Sequence, residues 1–339
     1  MKRKNNFAFT LVELLVVIAI IGILIGMMMP AIQAARETAR RAECTNNMMQ
    51  LGMALSDYQS AQQSLPPGTI ADKGPIQNIA KGNHISWLVQ ILPYIQERST
   101  YKNIDLAAGA YASQNADARR LSIAMFKCPS YAGLENPETP LSNYAGCHNA
   151  VEAPIAENND GVLFLNSHIR DKDITDGAAN TIFAGEKGGS QWDLGWMSGT
   201  RATLRNCGTL LDETMLDDGP HYYATEPGKE PAAKPAVAEK TAEAEKPAAT
   251  EDAVEATEKP GANAAAEKPV EEKEKPAAAK TYSDLYVGGF GSYHPYGVNF
   301  LFGDGAVHFT GNDIDLKLLE QLGNRADGKL LEGGPTRGQ

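Results

Sequence analysis

Residues 9–30, FTLVELLVVIAIIGILIGMMMP, are almost wholly apolar and enclose one carboxylate, Glu13. Read as helix, the 21 residues from 9 to 29 extend about 31 Å at roughly 1.5 Å per residue, close to the thickness of bilayer hydrocarbon. The segment is long enough to span a membrane. Lys2, Arg3 and Lys4 precede it, and such a positive flank stays on the cytoplasmic side. A secretory signal peptide has a shorter apolar core, no internal acid and a small-x-small cleavage site at its end. A plain anchor leaves Glu13 unexplained, because a carboxylate in lipid costs about 2.5 to 3.5 kcal/mol on insertion scales.

A short basic leader, the small residue Ala8, then Phe9-Thr10-Leu11-Val12-Glu13 and an apolar helix resemble the type IV prepilin signal of pilins and secretion-system pseudopilins. The resemblance implies cleavage by a membrane prepilin peptidase between Ala8 and Phe9 and methylation of the new amino group on Phe9. Ala8 stands where that family most often has Gly. Glu13 becomes the fifth mature residue and the assembly residue. A carboxylate and a new amino terminus, each costly alone in lipid, neutralise each other across neighbouring subunits.

The remaining composition allows one or two folded domains. The net charge of -11 and the lack of a basic stripe argue against a nucleic-acid partner. Arg36, Arg40 and Arg41 alternate with Glu37 and Glu43, which predicts a solvated helix face with an i to i+4 pair between Glu37 and Arg41. Cys44, Cys128, Cys147 and Cys207 are widely spaced, with no C-x-x-C. That spacing gives no zinc ribbon or redox motif, and in an exported domain it permits three disulfide pairings.

From 31 to about 62 the helix is expected to continue. Met48, Leu51, Leu55 and Tyr58 form one stripe, while Asn46, Asn47, Gln50 and Asp57 stay wet. Pro30 marks a kink or local unwinding. Gly22 and Gly26 allow close helix packing without specifying it. Pro66-Pro67-Gly68 ends the spine. Helices are predicted over 85–95, bent at Pro93, and over 116–125. Beyond 142, short apolar runs at 161–165 and 181–185 read as strands of an antiparallel sheet. Residues 226–280 contain no aromatic residue and no Leu, Ile or Met, and Glu-Lys-Pro recurs from Glu245, Glu258, Glu267 and Glu274. Such a segment cannot bury enough apolar surface to offset its ordering entropy and reads as a disordered insert. After it, strands at 298–302 and 306–309 flank a Gly303-Asp304-Gly305 turn, and a short helix follows.

This C-terminal stretch and several earlier pieces resemble a large family of prepilin-signal proteins with a C-terminal domain of unknown function. Its hallmark is a His, nine intervening residues and Asp-Gly, here His294 and Asp304-Gly305. Other matching pieces are Cys44-Thr45-Asn46-Asn47, Pro66-Pro67-Gly68, Cys128-Pro129-Ser130, Ser142-Asn143-Tyr144, Asp173 to Gly177 and Asn180-Thr181-Ile182. Ala178-Ala179 and Tyr296 depart from the usual forms without touching the hallmark spacing.

His294, Asp304 and His308 invite an acid-base or metal reading. The structural reading is better: Asp304-Gly305 makes a turn and His294 packs beside it. Asp171, Asp173 and Asp176 lack calcium-loop spacing and read as turn acids. No P-loop, H-E-x-x-H or G-x-S-x-G is present, so no catalytic residue, metal ligand or cofactor is assigned and the protein is not expected to be an enzyme.

The expectation is an α+β fold, with a pilin-like transmembrane helix packed on an antiparallel sheet head and carrying a disordered insert. Its divisions are a leader at 1–8, an assembly helix at 9–30, a spine at 31–62, a head at 63–225, the insert at 226–280, and the rest of the head at 281–339. Its partners would be prepilin peptidase, pilin-like subunits and inner-membrane lipid. It would cross the inner membrane once, with a cytoplasmic amino terminus and the head in the periplasm or at the cell surface. The alternative function is a singly anchored head that binds a sugar or wall polymer through Trp87, Trp192, Trp196 and Tyr222-Tyr223, using the prepilin signal only for export.

Overall fold

The computed structural model describes residues 11–131, 133, 136–190, 193–211 and 284–329. Ala8, Phe9, Trp192, Tyr222, Tyr223 and the 226–280 insert lie outside the described residues. The described residues all belong to one of the chain's two units, Met1–Tyr222 with Tyr282–Gln339.

Helix α1 (Leu11–Gln62) runs through Pro30 without interruption. Its two halves differ in chemistry. From Leu11 to Met29 the large apolar side chains are exposed, and the segment is long and apolar enough to cross a membrane. In the second half the stripe turns inward: Cys44, Met48, Leu51, Ala54 and Leu55 are buried. Tyr58 is half-buried, and Asn46 and Asp57 face water. The 3.6-residue period selects this face, and packing rather than propensity holds it.

Strands β1 (Thr69–Ile70) and β2 (Ile85–Ser86) pair antiparallel. The single helix expected over 85–95 is three pieces: β2, then α2 (Trp87–Ile91), then a 3-10 turn, Leu92–Tyr94, that contains Pro93. Proline lacks the amide that would continue an α ladder, and a 3-10 turn accommodates it near its start. After α3 (Arg98–Lys102), the helix expected over 116–125 splits into α4 (Ala116–Arg119) and a 3-10 turn at Ala124–Phe126.

The main sheet joins β3 (Tyr144–Asn149), β4 (Ile182–Glu186), β5 (Leu204–Asn206), β6 (Gly297–Phe302) and β7 (Val307–Gly311) in the order β5-β3-β4-β6-β7. Three of its pairings are antiparallel. The β3 to β5 pairing is parallel, so the sheet is mixed. After β4 the chain reverses and crosses to the far side of β3. It therefore opposes β4 in direction and matches β3.

Residues 161–165 are not a strand. Val162 and Leu163 both donate their amides to the Cys147 carbonyl, and Leu165 makes only an isolated bridge to Thr69. Buried on all sides, this run carries the apolar character of a strand without its ladder. That ambiguity is expected of short apolar runs.

Strand β6 separates two cores. Leu301 faces α1, while Val298, Phe300 and Phe302 face helix α5 (Leu316–Gly323) through Leu319 and Leu322. Gly52 of α1 lies so close to β6 that a Cβ there would sit 2.8 Å from Leu301 Cδ1. The hairpin turn is the expected one: Gly305 has φ +83, and Asp304 Oδ1 accepts from the Ala306 amide at 2.9 Å. Asp315 caps α5, accepting from the Lys317 and Leu318 amides at 2.8 and 3.3 Å. Replacing Asp315 with Ala will lower stability by about 1 kcal/mol, read as a lower urea midpoint of the full chain in detergent. An unchanged midpoint would show that the cap contributes nothing.

Candidate functional site

Four chain segments meet beneath α1. Cys44 projects from the buried stripe of α1. Cys128 follows the 3-10 turn at Ala124–Phe126, and its amide donates to Asn143 Oδ1 at 2.9 Å. Glu186 ends β4. Asn299 of β6 fixes it, its amide reaching Oε2 at 2.9 Å and its Nδ2 reaching Oε1 at 3.0 Å. His294 lies just before β6, with its backbone amide on Ser292 Oγ at 3.1 Å.

All four residues are buried, and their donor atoms lie within 4.8 Å of one another. Cys44 Sγ is 3.1 Å from Cys128 Sγ. His294 Nε2 is 3.5 Å from Cys128 Sγ and 3.4 Å from Glu186 Oε1. Two sulfurs, one imidazole nitrogen and one carboxylate oxygen therefore converge on one point, and this set is able to hold a cation.

Glu37, about two turns before Cys44 on α1, closes the cluster from outside. Its Oε1 accepts from His294 Nδ1 at 2.6 Å. Its Oε2 takes Arg40 Nη2 at 2.6 Å and the Ser130 hydroxyl at 3.1 Å. Burial pushes the Glu37 carboxyl up, but the bonds from His294, Arg40 and Ser130 outweigh it and leave the group below its ordinary range. The predicted pair with Arg41 does not form. Arg41 instead lies over the Phe309 ring at 3.5 Å, and Glu37 is taken by a tertiary partner.

The electrostatics of the four groups are coupled. Hydrogen bonding from Cys44 draws the Cys128 thiol down to about 6 against the opposing effect of burial, with help from His294. The same Cys44 to Cys128 bond, reinforced by burial, drives the Cys44 thiol up. Burial acts to lower His294, yet Cys128, Glu186 and Glu37 together raise it to about 10.

His294 and Asp304 of the hallmark do not meet. His294 is buried in the cluster, whereas Asp304 and Gly305 are exposed in the β6 to β7 turn. His308 is exposed and set edge-on to Phe302 at 5.2 Å. Cys147 and Cys207 form a second buried pair with sulfurs 3.7 Å apart, so the four cysteines are arranged as Cys44 with Cys128 and Cys147 with Cys207. Glu13 lies in the first turn of α1. Asp171 accepts from Gln59, Asp173 from Arg170, and Asp176 from the Asp327 and Gly328 amides; the three carboxylates serve separate contacts. Trp87 and Trp196 are core residues, with indole nitrogens on the Thr203 and Leu121 carbonyls, each at 2.9 Å.

Sequence reasoning missed Glu186 and Glu37 as members of the site. The usable signal lay in the Cys44, Cys128 and His294 pieces, which lack metal-motif spacing because each residue comes from a different segment.

Residues 33–317 match a family described as Protein of unknown function (DUF1559). Residues 3–29 match the prokaryotic N-terminal methylation motif. The first match spans Cys44, Cys128, Glu186 and His294, and the second spans Ala8, Phe9 and Glu13. No curated protein and no solved structure matches the chain.

Proposed function

The chain belongs to the family described as Protein of unknown function (DUF1559), and from that membership and its methylation motif we propose a pilin- or pseudopilin-like subunit that assembles into a secretion or envelope filament. The motif and the apolar helix fit a membrane-anchored protein processed by a prepilin peptidase, with pilin-like partners in general. The finer reading is mechanical, without catalysis. Cleavage falls between Ala8 and Phe9, Phe9 is methylated, the helix crosses the inner membrane once, and the head stands outside the cytoplasm. Glu13 then sits at the joint between subunits.

One observation carries the proposal: α1 is a single helix whose first half exposes apolar side chains and whose second half buries one apolar stripe in the head. A helix that is hydrophobic all round needs lipid or other helices around it, and a rigid continuation into the head transmits force from that packing. The burial of Trp87 and Trp196 removes them as sugar-stacking platforms and disfavours the anchored binding module.

Intact and N-terminal fragment masses of the protein from native membranes test the reading. The expected mature chain begins at N-methyl-Phe9. A chain still beginning at Met1 would leave a permanent anchor, and one beginning beyond Pro30 an ordinary secreted protein; either defeats the proposal.

A further inference from the structure

We propose that Cys44, Cys128, His294 and Glu186 form a zinc-class metal site that clamps the spine helix to the head. The ligand set is the first argument. Two thiolates, an imidazole and a carboxylate suit a divalent ion of borderline softness in four-coordinate geometry. Bonds of about 2.0 to 2.3 Å to such an ion set donor atoms roughly 3.3 to 3.8 Å apart. The observed His294 to Cys128 and His294 to Glu186 separations are 3.5 and 3.4 Å. The two sulfurs, at 3.1 Å, need only part slightly.

Orientation is the second argument. His294 Nδ1 donates to Glu37 at 2.6 Å, which turns Nε2 toward the sulfurs and Glu186. Metal-bound histidines characteristically give their other ring N–H to a carboxylate, which fixes the tautomer. Glu186 is itself held at both oxygens by Asn299. Cys128 is braced through its amide by Asn143. Three of the four ligands are thus positioned by a partner that is not a ligand, and Cys44 is placed by the buried stripe of α1.

Charge is the third. A Cys44 to Cys128 disulfide would use two of the four groups and leave the Glu186 carboxylate, 1% exposed, with only a protonated His294 as counter-charge among the ionic contacts of the described residues. A divalent cation satisfies all four groups at once. The clamp also has a mechanical consequence. Its ligands come from α1, the loop after Ala124–Phe126, the end of β4 and the approach to β6, so one ion closes three long loops. Such binding free energy is available to folding.

The full chain, purified in detergent under reducing conditions and freed of excess metal, should retain one equivalent of zinc by plasma mass spectrometry. Cobalt in its place should give the visible spectrum of a tetrahedral thiolate site. Cys128→Ser should reduce the metal to background, while Cys147→Ser, in the other thiol pair, should keep it. Glu37→Gln, which preserves all four ligands, should weaken zinc about 10- to 100-fold against a chromophoric chelator. Emission from Trp87 and Trp196 reports whether each variant is folded. The proposal is overturned if the folded parent takes up neither zinc nor cobalt, if folded Cys128→Ser binds as the parent does, if Glu37→Gln binds as tightly as the parent, or if peptide mapping of protein from native membranes finds Cys44 disulfide-bonded to Cys128.

Discussion

Exchanging Glu13 for Ala leaves the protein in the membrane fraction and abolishes its capture with pilin-like neighbours. The two outcomes separate because they depend on different free energies. Insertion improves when an ionisable group, costly by about 2.5 to 3.5 kcal/mol, leaves the apolar helix. In the proposed filament, assembly worsens because the amino terminus of an adjoining subunit loses its counter-charge. Breaking one side of a buried ion pair costs about 3 to 5 kcal/mol, which lowers pairwise association by two orders of magnitude or more. The loss recurs at every joint, so a filament amplifies it. Resistance to alkaline extraction reads insertion, and cross-linking through a photoreactive residue placed in the exposed half of α1 reads assembly. Undiminished cross-linking in the Ala variant would remove the filament reading and leave Glu13 without a role at the joint.

The same helix shows what a sequence makes legible. Met48, Leu51 and Leu55 recur at helical spacing, and that period alone predicts the face found buried in the head. The β6 to β7 hairpin was legible for a similar reason, because the Asp304-Gly305 turn has local requirements that local residues reveal. The mixed sheet edge was not legible, since the direction of β5 follows from a crossing over β3 that no periodicity encodes. Glu37 illustrates the limit most clearly. Helix-surface rules pair it with Arg41, four residues on, but it bonds instead to Arg40 and to His294, 257 residues away in the chain. The ligand cluster has the same character: Cys44 and Cys128 are separated by 84 residues, and Cys128 and His294 by 166. Family pieces marked three of the four ligands as worth attention. Only the fold shows that they address one point, with Glu186 completing the set.

Between pH 6.5 and pH 3 the protein loses stability through His148, and a His148→Gln variant will lose less. His148 is fully buried in β3, where its pairing with β5 becomes irregular. Its Nδ1 lies 3.4 Å from Asn159 Oδ1, and its Nε2 has no hydrogen-bond partner among the described residues. Burial disfavours the imidazolium, and Arg205 on β5 adds repulsion that the bond to Asn159 does not overcome, so the ring falls from 6.5 to about 3. Above pH 6.5 the ring is neutral in folded and unfolded chains alike and contributes no slope. As pH falls toward 3, the unfolded chain takes up a proton that the folded chain refuses, so stability declines by about 1.4 kcal/mol per pH unit. Below about 3 both states are protonated and the decline from this group ends. The full window is worth about 5 kcal/mol. Other acid-sensitive groups, including the ligand cluster, titrate in both proteins and cancel in the difference. Denaturant unfolding of the full chain in detergent, followed by tryptophan emission from pH 7 to pH 4, should therefore give a shallower pH dependence for His148→Gln, whatever the constant offset of that substitution. Parallel curves would mean that a proton reaches His148 in the folded state.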